Sequence, residues 1–372
     1  MTKRNDKGAD QHDGLEDVRR EIDEVDKHIQ ELISERARLA QKVGVTKGKL
    51  AGAVDYYRPE REAEVLRQVL ERNKGPLRDE EILRLFREIM SACLAQQEPL
   101  KVGFLGPEGT FTQSAVLKHF GHSVRAIPFA TIDEVFQEVQ AGTADFGVVP
   151  IENSTEGTVN NTLDMFISSP LKISGEIELK IQQHLLGRME SLEDIERICA
   201  HQQSIAQCRG WLREYLPHVD LIGMSSNAAG ARRARDEQGT AAIGGEAAAD
   251  VYGLNTLVAN IEDSADNATR FLVVGRELLS ASGDDKTTIL VSASHTSGAG
   301  VLHSLLQPLA KYGISMTRIE SRPSRRQNWD YVFFIDLDGH AEESPVREAL
   351  AELKAESSLF RVLGAYPKAV GN

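Results

Sequence analysis

The sequence predicts three structural units in series: an all-α segment, a two-lobed α/β segment and a smaller α+β segment. Residues 1–98 hold only 6 of the 30 Gly, 2 of the 12 Pro and 3 of the 21 aromatic residues. Helical chains have this composition because Gly and Pro disfavour helix interiors. Beyond residue 99, short apolar runs alternate with helical patterns, which indicates α/β order. The length of 372 residues agrees with two or three domains.

Charge and cysteine content exclude several classes of protein. The formal net charge of −13 argues against a chain whose main task is to bind nucleic acid or an anionic membrane. Three cysteines, Cys93, Cys199 and Cys208, form no CxxC pair, so we expect neither a disulfide scaffold nor a zinc ribbon. A reducing compartment, and therefore a cytoplasmic location, is expected. No apolar run reaches about 18 residues, so neither a signal peptide nor a membrane span is expected.

The N-terminal segment predicts three helices. The first 14 residues are polar and are expected to form a disordered tail. Apolar residues then recur at 3-4 spacing over 15–48, which predicts one helix of about 50 Å. Its apolar stripe needs a second long helix, most simply from a second copy of the chain. Pro59 opens the second helix and Asp79 is expected to cap the third.

Cations interrupt the apolar stripe of the first helix. Arg36 stands at a stripe position, where a buried cation must find an anion or accept a large desolvation cost. Arg19 and Lys47 are 28 residues apart, so they share one edge of the helix. The pattern leaves two interpretations open. One is a coiled coil with a register-setting Arg and cations that extend toward solvent, and the other is a cationic pocket for a small dicarboxylate.

Three segments of this unit resemble the all-helical chorismate mutase family. They are LEDVRREIDEVDKHIQELISERARLAQKVGVTKGK, PEREAEVL and LFREIMSACLAQQ. The resemblance implies that Arg19 and Arg36 hold the substrate carboxylates, with Arg19 supplied across a dimer. It implies that Lys47 and Gln97 donate to the ether oxygen of chorismate. The family's Arg-Glu pair corresponds here to Arg61 and Glu62, and Glu62 would accept from the ring hydroxyl.

Two positions depart from the family pattern. Cys93 stands where the family often has Ser, and Arg58 stands where it often has Asp, after a two-residue insertion. Both remain expected substrate-binding positions, Arg58 through its backbone. The implied reaction is an intramolecular rearrangement, so we expect no nucleophile, metal or other cofactor. The enzyme has to hold the diaxial conformer and place cations where the breaking C–O bond gains negative charge.

The middle segment carries three polar helix starts. They are Gly106–Thr112, Val149–Thr158 and Ser225–Ala229. Each alone agrees with simple helix capping. Together they predict a cleft between two α/β lobes, as in periplasmic-binding-protein folds. The segment lacks the GK[ST] of a P-loop and the spacing of GxGxxG, which disfavours a nucleotide site.

The motifs GPEGTFT, VPIENSTEGTV, SNAA and NATRF resemble prephenate dehydratases over about 175 residues. The resemblance implies Thr269 as the central catalytic residue. It implies a substrate site formed by Thr110, Asn153, Ser154, Thr155, Ser226, Asn227, Arg270 and Phe271. The reaction expels a ring hydroxyl and CO₂, and Thr269 would hydrogen-bond the leaving oxygen, although Thr is too weak an acid to donate a full proton unaided. His184 and His201 are expected to be structural or surface residues.

Residues 287–367 predict the order strand, helix, strand, strand, helix, strand, which is ferredoxin-like. The segments AGVL and ESRP resemble the ACT regulatory domain. The resemblance implies a phenylalanine site between paired domains, formed by Gly300, Val301, Leu302, Glu320, Ser321, Arg322 and Pro323. The alternative is a ferredoxin-like dimerisation module without an effector.

As a whole, the sequence resembles bifunctional chorismate mutase–prephenate dehydratases of phenylalanine biosynthesis, inhibited by phenylalanine. The expected domains are 15–98, 101–278 and 287–367, in a homodimer or a dimer of dimers. A mutase fused to prephenate dehydrogenase would need a dinucleotide fingerprint, which the sequence lacks. A non-enzymatic ligand sensor would need neither Thr269 nor Arg36. A chain that ends near Gly283 is expected to keep both activities and to lose control by phenylalanine.

Overall fold

The structure is a computed structural model that describes residues 9–49, 57–293, 300–324 and 331–371. The N-terminal unit contains three helices: α1 (Ala9–Lys49), α2 (Pro59–Arg72) and α3 (Asp79–Ala95). Helix α1 includes residues 9–14, which were expected to belong to the disordered tail, whereas residues 1–8 of that tail lie outside the described residues. The N-cap of α3 is Arg78 rather than Asp79, and the Arg78 backbone N–H donates to the Glu81 carboxylate at 3.1 Å.

The apolar stripe of α1 is uncovered in the single chain. Between residues 15 and 46, only four residues are shielded from solvent: Arg36, Ala37, Ala40 and Gly44. Ile22 and Leu32 on the stripe remain 53% and 64% exposed. An unpaired apolar stripe of this length marks a surface for another helix. Within the described residues, no helix is both long and apolar enough to cross a membrane.

The first lobe of the α/β unit is built on a six-stranded sheet in the order β2-β1-β3-β11-β5, with β4 paired to β3. Its strands are β1 (Lys101–Leu105), β2 (Arg125–Phe129), β3 (Phe146–Asn153), β4 (Gly157–Thr158), β5 (Lys172–Lys180) and β11 (Ala268–Gly275). Its helices are α4 (Phe111–Phe120), α5 (Ile132–Ala141) and α6 (Asn160–Ser168). Strands β1, β2 and β3 are parallel, whereas β11 runs antiparallel between β3 and β5.

The second lobe is inserted between β5 and β11. Its sheet has the order β10-β6-β9-β7-β8. The strands are β6 (His184–Gly187), β7 (Arg197–His201), β8 (Asp220–Met224), β9 (Thr240–Gly244) and β10 (Asn255–Val258). The helices are α7 (Gln202–Gln207), α8 (Arg209–Tyr215), α9 (Asn227–Asp236) and α10 (Glu246–Tyr252). The chain crosses between the lobes twice, which agrees with the predicted two-lobed architecture.

The C-terminal unit has the predicted ferredoxin-like order. It consists of β12 (Asp285–Ala293), α11 (Val301–Lys311), β13 (Met316–Pro323), β14 (Tyr331–Asp338), α12 (Val346–Glu356) and β15 (Ser357–Pro367). The sheet order is β13-β14-β12-β15, and both helices pack on one face of it.

The other face of this sheet shares a core with the first lobe. Phe334 and Tyr366 of the C-terminal unit are buried in one cluster with Ile151, Phe166 and Leu272 of the first lobe. Removal of the C-terminal unit would therefore expose apolar side chains of the first lobe to water. A chain that ends near Gly283 should therefore have a less stable second unit, and the expectation that it keeps both activities stays a prediction.

Candidate active sites

The two lobes of the α/β unit enclose a cleft of about 530 Å³. All four predicted motifs reach it, through Thr110, Asn153, Ser226, Asn227, Thr269 and Phe271. These residues lie at the starts of α4 and α9 and at the adjoining ends of β3 and β11. The predicted cleft is therefore present, and the motifs that are far apart in sequence meet there.

Thr269 holds its hydroxyl in a fixed orientation at this cleft. It lies opposite Asn153 in the pairing of β11 with β3 and is 9% exposed. The Asn153 side-chain oxygen accepts the backbone N–H groups of Thr155 and Glu156 at 3.0 and 3.1 Å, which fixes the amide orientation. The Asn153 Nδ2 therefore donates to the Thr269 hydroxyl at 2.8 Å. The Thr269 proton has no acceptor among the described contacts, so it is free for a ligand in the cleft.

Ser154 and Thr155 support this arrangement rather than line the cleft. Ser154 Oγ accepts the backbone N–H of Ala268 at 3.0 Å, just before Thr269. Thr155 Oγ1 donates to Asn153 Oδ1 at 2.6 Å and accepts from Gln207 Nε2 at 3.3 Å. The structure thus gives both residues a positioning role, which differs from the predicted substrate contact.

Arg270 lies on the opposite face of β11, and its predicted place in the substrate site is wrong. Its guanidinium pairs at 2.8 Å with Asp336 and at 2.8 Å with Glu176. Lys286 joins the same cluster through Glu176 at 2.7 Å. Successive side chains of a strand point to opposite faces. Because Thr269 faces the cleft, Arg270 has to face away, toward the C-terminal unit.

His184 and His201 of the second lobe each accept a backbone hydrogen bond. His201 Nδ1 caps α7 by accepting the N–H of Gln203 at 3.3 Å, and His201 also lines the cleft. His184 Nδ1 accepts the N–H of Asn260 at 3.0 Å. The expected structural role is confirmed for both, although the sequence did not indicate the place of His201 at the cleft.

Sequence reasoning missed several amide and hydroxyl side chains of the cleft. These are Gln183, Ser204, Gln207 and Asn267. Asn267 stands within the NATRF motif, two residues before Thr269, and strand alternation would have found it. Gln183 and Ser204 belong to no recognisable motif, and only the three-dimensional structure brings them to the cleft.

In the helical unit, Gln97 joins α3 to α1. Its Nε2 donates to the backbone oxygen of Ala40 at 2.7 Å. A Cβ added at Gly44 would lie 2.6 Å from Gln97 Oε1, so a side chain there would displace the end of the Gln97 side chain. Cys93 is buried on the same helix. The expected contact of Gln97 with the ether oxygen remains a prediction.

Glu62 is half-buried near two arginines. It hydrogen-bonds with the Tyr57 hydroxyl, and Arg87 and Arg36 lie close enough to act on its charge. Burial raises the pKa of Glu62 to about 7, although both arginines and Tyr57 oppose the rise. The structure thus places Glu62 within electrostatic reach of Arg36, and it adds Tyr57 and Arg87, which the sequence pattern did not single out.

The other predicted mutase cations are dispersed. Arg61 pairs with Glu64 at 2.7 Å, and Arg58 pairs with Glu60 at 3.3 Å, both toward solvent. The single chain therefore does not bring Arg61 to Glu62 and Arg36. Arg19 is exposed on α1, and the side chain of Lys47 lies outside the described residues.

The predicted effector residues divide between two surfaces. Glu320 accepts from the Thr158 hydroxyl at 3.0 Å, and Arg322 pairs with Asp164 at 2.7 Å, so both face the first lobe. The remaining ones are half-buried or exposed: Gly300, Val301, Leu302, Ser321 and Pro323. Thr158, which donates to Glu320, also lines the cleft.

Comparison with known proteins agrees with each of the three units. Residues 18–98 match the family model of type II chorismate mutase, residues 102–278 match that of prephenate dehydratase, and residues 289–355 match that of the ACT domain. The fold and the cleft therefore define a multidomain enzyme of aromatic metabolism.

Full-length relatives join the three units in the same order. A bifunctional chorismate mutase/prephenate dehydratase of Pseudomonas aeruginosa is 53% identical over 97% of this chain and 100% of the relative. One from Aquifex aeolicus is 45% identical over 96% of this chain and 98% of the relative. The crystal structure of prephenate dehydratase from Arthrobacter aurescens in complex with L-Phe is 39% identical with a TM-score of 0.67, and the match covers 73% of this chain and 91% of that one. The chain belongs to the family of bifunctional chorismate mutase/prephenate dehydratases.

Proposed function

We propose that this chain rearranges chorismate to prephenate in its helical unit and converts prephenate to phenylpyruvate in the α/β cleft. Phenylalanine, the product of the pathway, is the inhibitor bound by the C-terminal unit. The observation that carries the proposal is the Thr269 hydroxyl, which Asn153 orients with its proton free at the cleft. The test is incubation of the purified chain with chorismate in the absence of NAD. Phenylpyruvate is the expected product, whereas a dehydrogenase or a ligand sensor would form none.

The dehydratase chemistry needs a hydrogen-bond donor at the leaving hydroxyl. Because Asn153 already donates to Thr269 Oγ1, the remaining proton of Thr269 is directed to the ligand. Charge develops on the leaving oxygen as the C–O bond breaks, and a fixed donor stabilises that charge. Ser226 and Thr110, at the starts of α9 and α4, hold the polar groups of the substrate near this donor.

The mutase site is completed by a second copy of the chain. Arg19 and Arg36 are 17 residues apart on one helix, which separates them by about 25 Å. One small substrate cannot span that distance within a chain. We therefore assign the carboxylate contacts to Arg36 of one protomer and Arg19 of its partner, with Glu62 at the ring hydroxyl and Gln97 and Lys47 at the ether oxygen. The uncovered stripe of α1 supports a homodimer or a dimer of dimers.

The proposed division of the chain is 15–98, 101–278 and 287–367. Its boundaries are supported by the gaps between the family-model matches. They also lie just after the ends of α3 and β11. A cytoplasmic location belongs to the same proposal.

The buried carboxyl group of Glu62 predicts the pH dependence of the mutase. The ionised carboxylate of Glu62 only accepts hydrogen bonds and can therefore bind the ring hydroxyl directly. The protonated carboxyl group carries a proton that would itself need an acceptor in the site. Since the pKa of Glu62 is raised to about 7, kcat/KM for chorismate should be low at pH 5 and rise to a plateau above pH 8. The measurement is the pH profile of prephenate formation, with Glu62→Gln as the non-titrating control. A wild-type profile as flat as that of Glu62→Gln would contradict this role.

Gly300 tests the proposed effector site. It has φ of +94° directly before α11, a conformation that costs little for Gly and is strained for Ala. Gly300→Ala should shift the first N–H groups of α11 and raise the phenylalanine concentration for half-inhibition about tenfold. The control is Gly283→Ala, also at positive φ but outside the proposed site. If Gly300→Ala and Gly283→Ala were half-inhibited at the same phenylalanine concentration, the effector would bind elsewhere.

A further inference from the structure

Ser204 of the second lobe has a proton that must be donated into the cleft. Ser204 lies on α7, is 5% exposed and lines the cleft. Its Oγ accepts from Asn227 Nδ2 at 2.8 Å and from Gln183 Nε2 at 3.2 Å. Asn227 cannot be turned over, because its Oδ1 accepts the backbone N–H of His201 at 3.0 Å. A hydroxyl oxygen has two lone pairs, and both are used, so Ser204 can act only as a donor toward a ligand.

The orientation of Gln183 is fixed by a chain of side-chain hydrogen bonds. Thr155 must donate to Asn153 Oδ1, because backbone N–H groups already fix that atom as an acceptor. Gln207 Nε2 therefore donates to Thr155 Oγ1, and Gln207 Oε1 accepts from Gln183 Nε2 at 3.1 Å. Reversal of Gln183 would place its oxygen against that of Gln207. Both protons of Gln183 Nε2 are thus used, by Ser204 and Gln207.

The oxygen of Gln183 is left as a buried acceptor. Gln183 is 2% exposed, and its Oε1 has no hydrogen-bond partner within the described part of the chain. Gln183 also lines the cleft. A buried amide oxygen without a partner is unfavourable. Because Gln183 lines the cleft, a ligand bound there can supply the missing donor.

The free proton of Ser204 and the free oxygen of Gln183 are close enough together for one ligand atom to bind both. Gln183 Nε2 is 3.2 Å from Ser204 Oγ, and the N and O of an amide are about 2.2 Å apart, so Oγ and Oε1 are at most about 5.4 Å apart. A tetrahedral oxygen bonded to both at about 2.8 Å would hold them about 4.6 Å apart. The group that accepts one bond and donates the other is a hydroxyl. A carboxylate or a ketone cannot donate, and an ammonium cannot accept.

We propose that Ser204 and Gln183 form a hydroxyl clamp that binds the ring hydroxyl of prephenate, the group that leaves in the dehydratase reaction. The proposal rests on the proposed function of the cleft. The carboxylates and the keto group of prephenate only accept hydrogen bonds at neutral pH, so the ring hydroxyl is its one donor. Thr269 from the first lobe and Ser204 from the second would each donate a hydrogen bond to one lone pair of that oxygen. The hydroxyl would in turn donate its own proton in a hydrogen bond to Gln183 Oε1.

In this arrangement Ser204 shares the catalytic task of Thr269. The bond from the ring to the carboxylate breaks, releases CO₂ and leaves its electron pair in the ring. The C–O bond breaks at the other end of the ring and its electron pair leaves with the oxygen as hydroxide, which balances atoms and charge. Two neutral donors stabilise the negative charge that grows on this oxygen.

The clamp is tested with Ser204→Ala and Gln183→Met, each beside a matched control. The controls are Ser168→Ala and Gln182→Met, two exposed positions outside the cleft lining. We expect the clamp variants to lower dehydratase kcat/KM about 10- to 100-fold. Mutase activity of the same samples should be unchanged, which shows that the chain is folded. Because both residues hold one hydroxyl, the double variant should lose less than the product of the single losses.

A second readout separates ligand contact from a structural role. Phenylpyruvate lacks the ring hydroxyl, so its inhibition constant against prephenate should stay within about twofold in both clamp variants. Equal weakening of prephenate and phenylpyruvate would mean that the pair only shapes the cleft or binds a water molecule, and it would overturn the clamp. Wild-type kcat/KM in both variants would also overturn it. These outcomes are distinct from a failure of the proposed function, because in that case the wild-type protein itself would form no phenylpyruvate.

Discussion

Thr269→Ala should lower phenylpyruvate formation about 100- to 1,000-fold, the range expected when a fixed donor to a developing anion is removed. Prephenate should then accumulate from chorismate, because the mutase site lies in another unit and distant sites behave independently. The loss should appear in kcat more than in KM, since the donor acts mainly on the charge of the transition state. The measurement is turnover of chorismate and of prephenate by the same sample.

Two controls make the Thr269 result specific. Thr269→Ser keeps the hydroxyl that Asn153 orients and should retain most of the activity. Thr143→Ala removes an exposed hydroxyl remote from the cleft and should behave like wild type. If Thr269→Ala had about the same dehydratase activity as Thr269→Ser, the Thr269 hydroxyl would have no role in the reaction.

The strong hydrophobic periodicities predict the fold well. The stripe of α1, the buried run of β3 and the order of the C-terminal unit are all confirmed. Strands with weak patterns were missed. Strand β9 is completely buried, but its sequence Thr-Ala-Ala-Ile-Gly has little β-propensity. Strand β2 contains Pro128, which is tolerated because β2 lies at the edge of its sheet. The apolar pattern over residues 205–216 predicts a single helix, whereas the structure has two, α7 and α8, divided at Cys208, whose backbone leaves the helical region.

The site was predictable where a motif ends a strand or begins a helix. Asn153 and Thr269 lie at one edge of the first lobe's sheet, Ser226 follows β8 of the second lobe's sheet, and all three line the cleft between the lobes. The prediction failed for Arg270 because it placed Thr269 and the next residue in the same site. Successive side chains of a strand point to opposite faces, so only one of the two can face the cleft. Gln183 and Ser204 could not be predicted, since their roles depend on hydrogen bonds between residues brought together only by folding.

The ion pairs on the far side of β11 connect the cleft to the C-terminal unit. Arg270 adjoins Thr269 in sequence and binds Asp336 of β14. Arg318 of β13 pairs with Glu152, next to Asn153, at 3.1 Å. Thr269 and Asn153 are thus each adjacent to a residue that the C-terminal sheet holds. These ion pairs form a physical connection between that sheet and the Thr269–Asn153 pair.

Arg36→Ala and Arg19→Ala should each lower mutase activity at least about 100-fold, because each removes a cation from a substrate carboxylate. Dehydratase activity with added prephenate should remain in both variants. The decisive result comes from mixing them after dissociation and reassociation. If Arg19 acts across the dimer, a mixed dimer has one site with both substitutions and one site with neither.

Random reassociation makes half of the dimers mixed, and half of the sites in these are intact, so about one quarter of wild-type mutase activity should return. Each variant reassociated with itself provides the control and should stay inactive. Recovery requires the long helices to pair so that Arg19 of one protomer reaches the Arg36 of its partner, which the uncovered stripe of α1 allows. If Arg19 acted within its own chain, every mixed dimer would carry one defect in each site and no activity would return. The mixing experiment therefore distinguishes a site shared between two chains from a site built by one, independently of the size of either single effect.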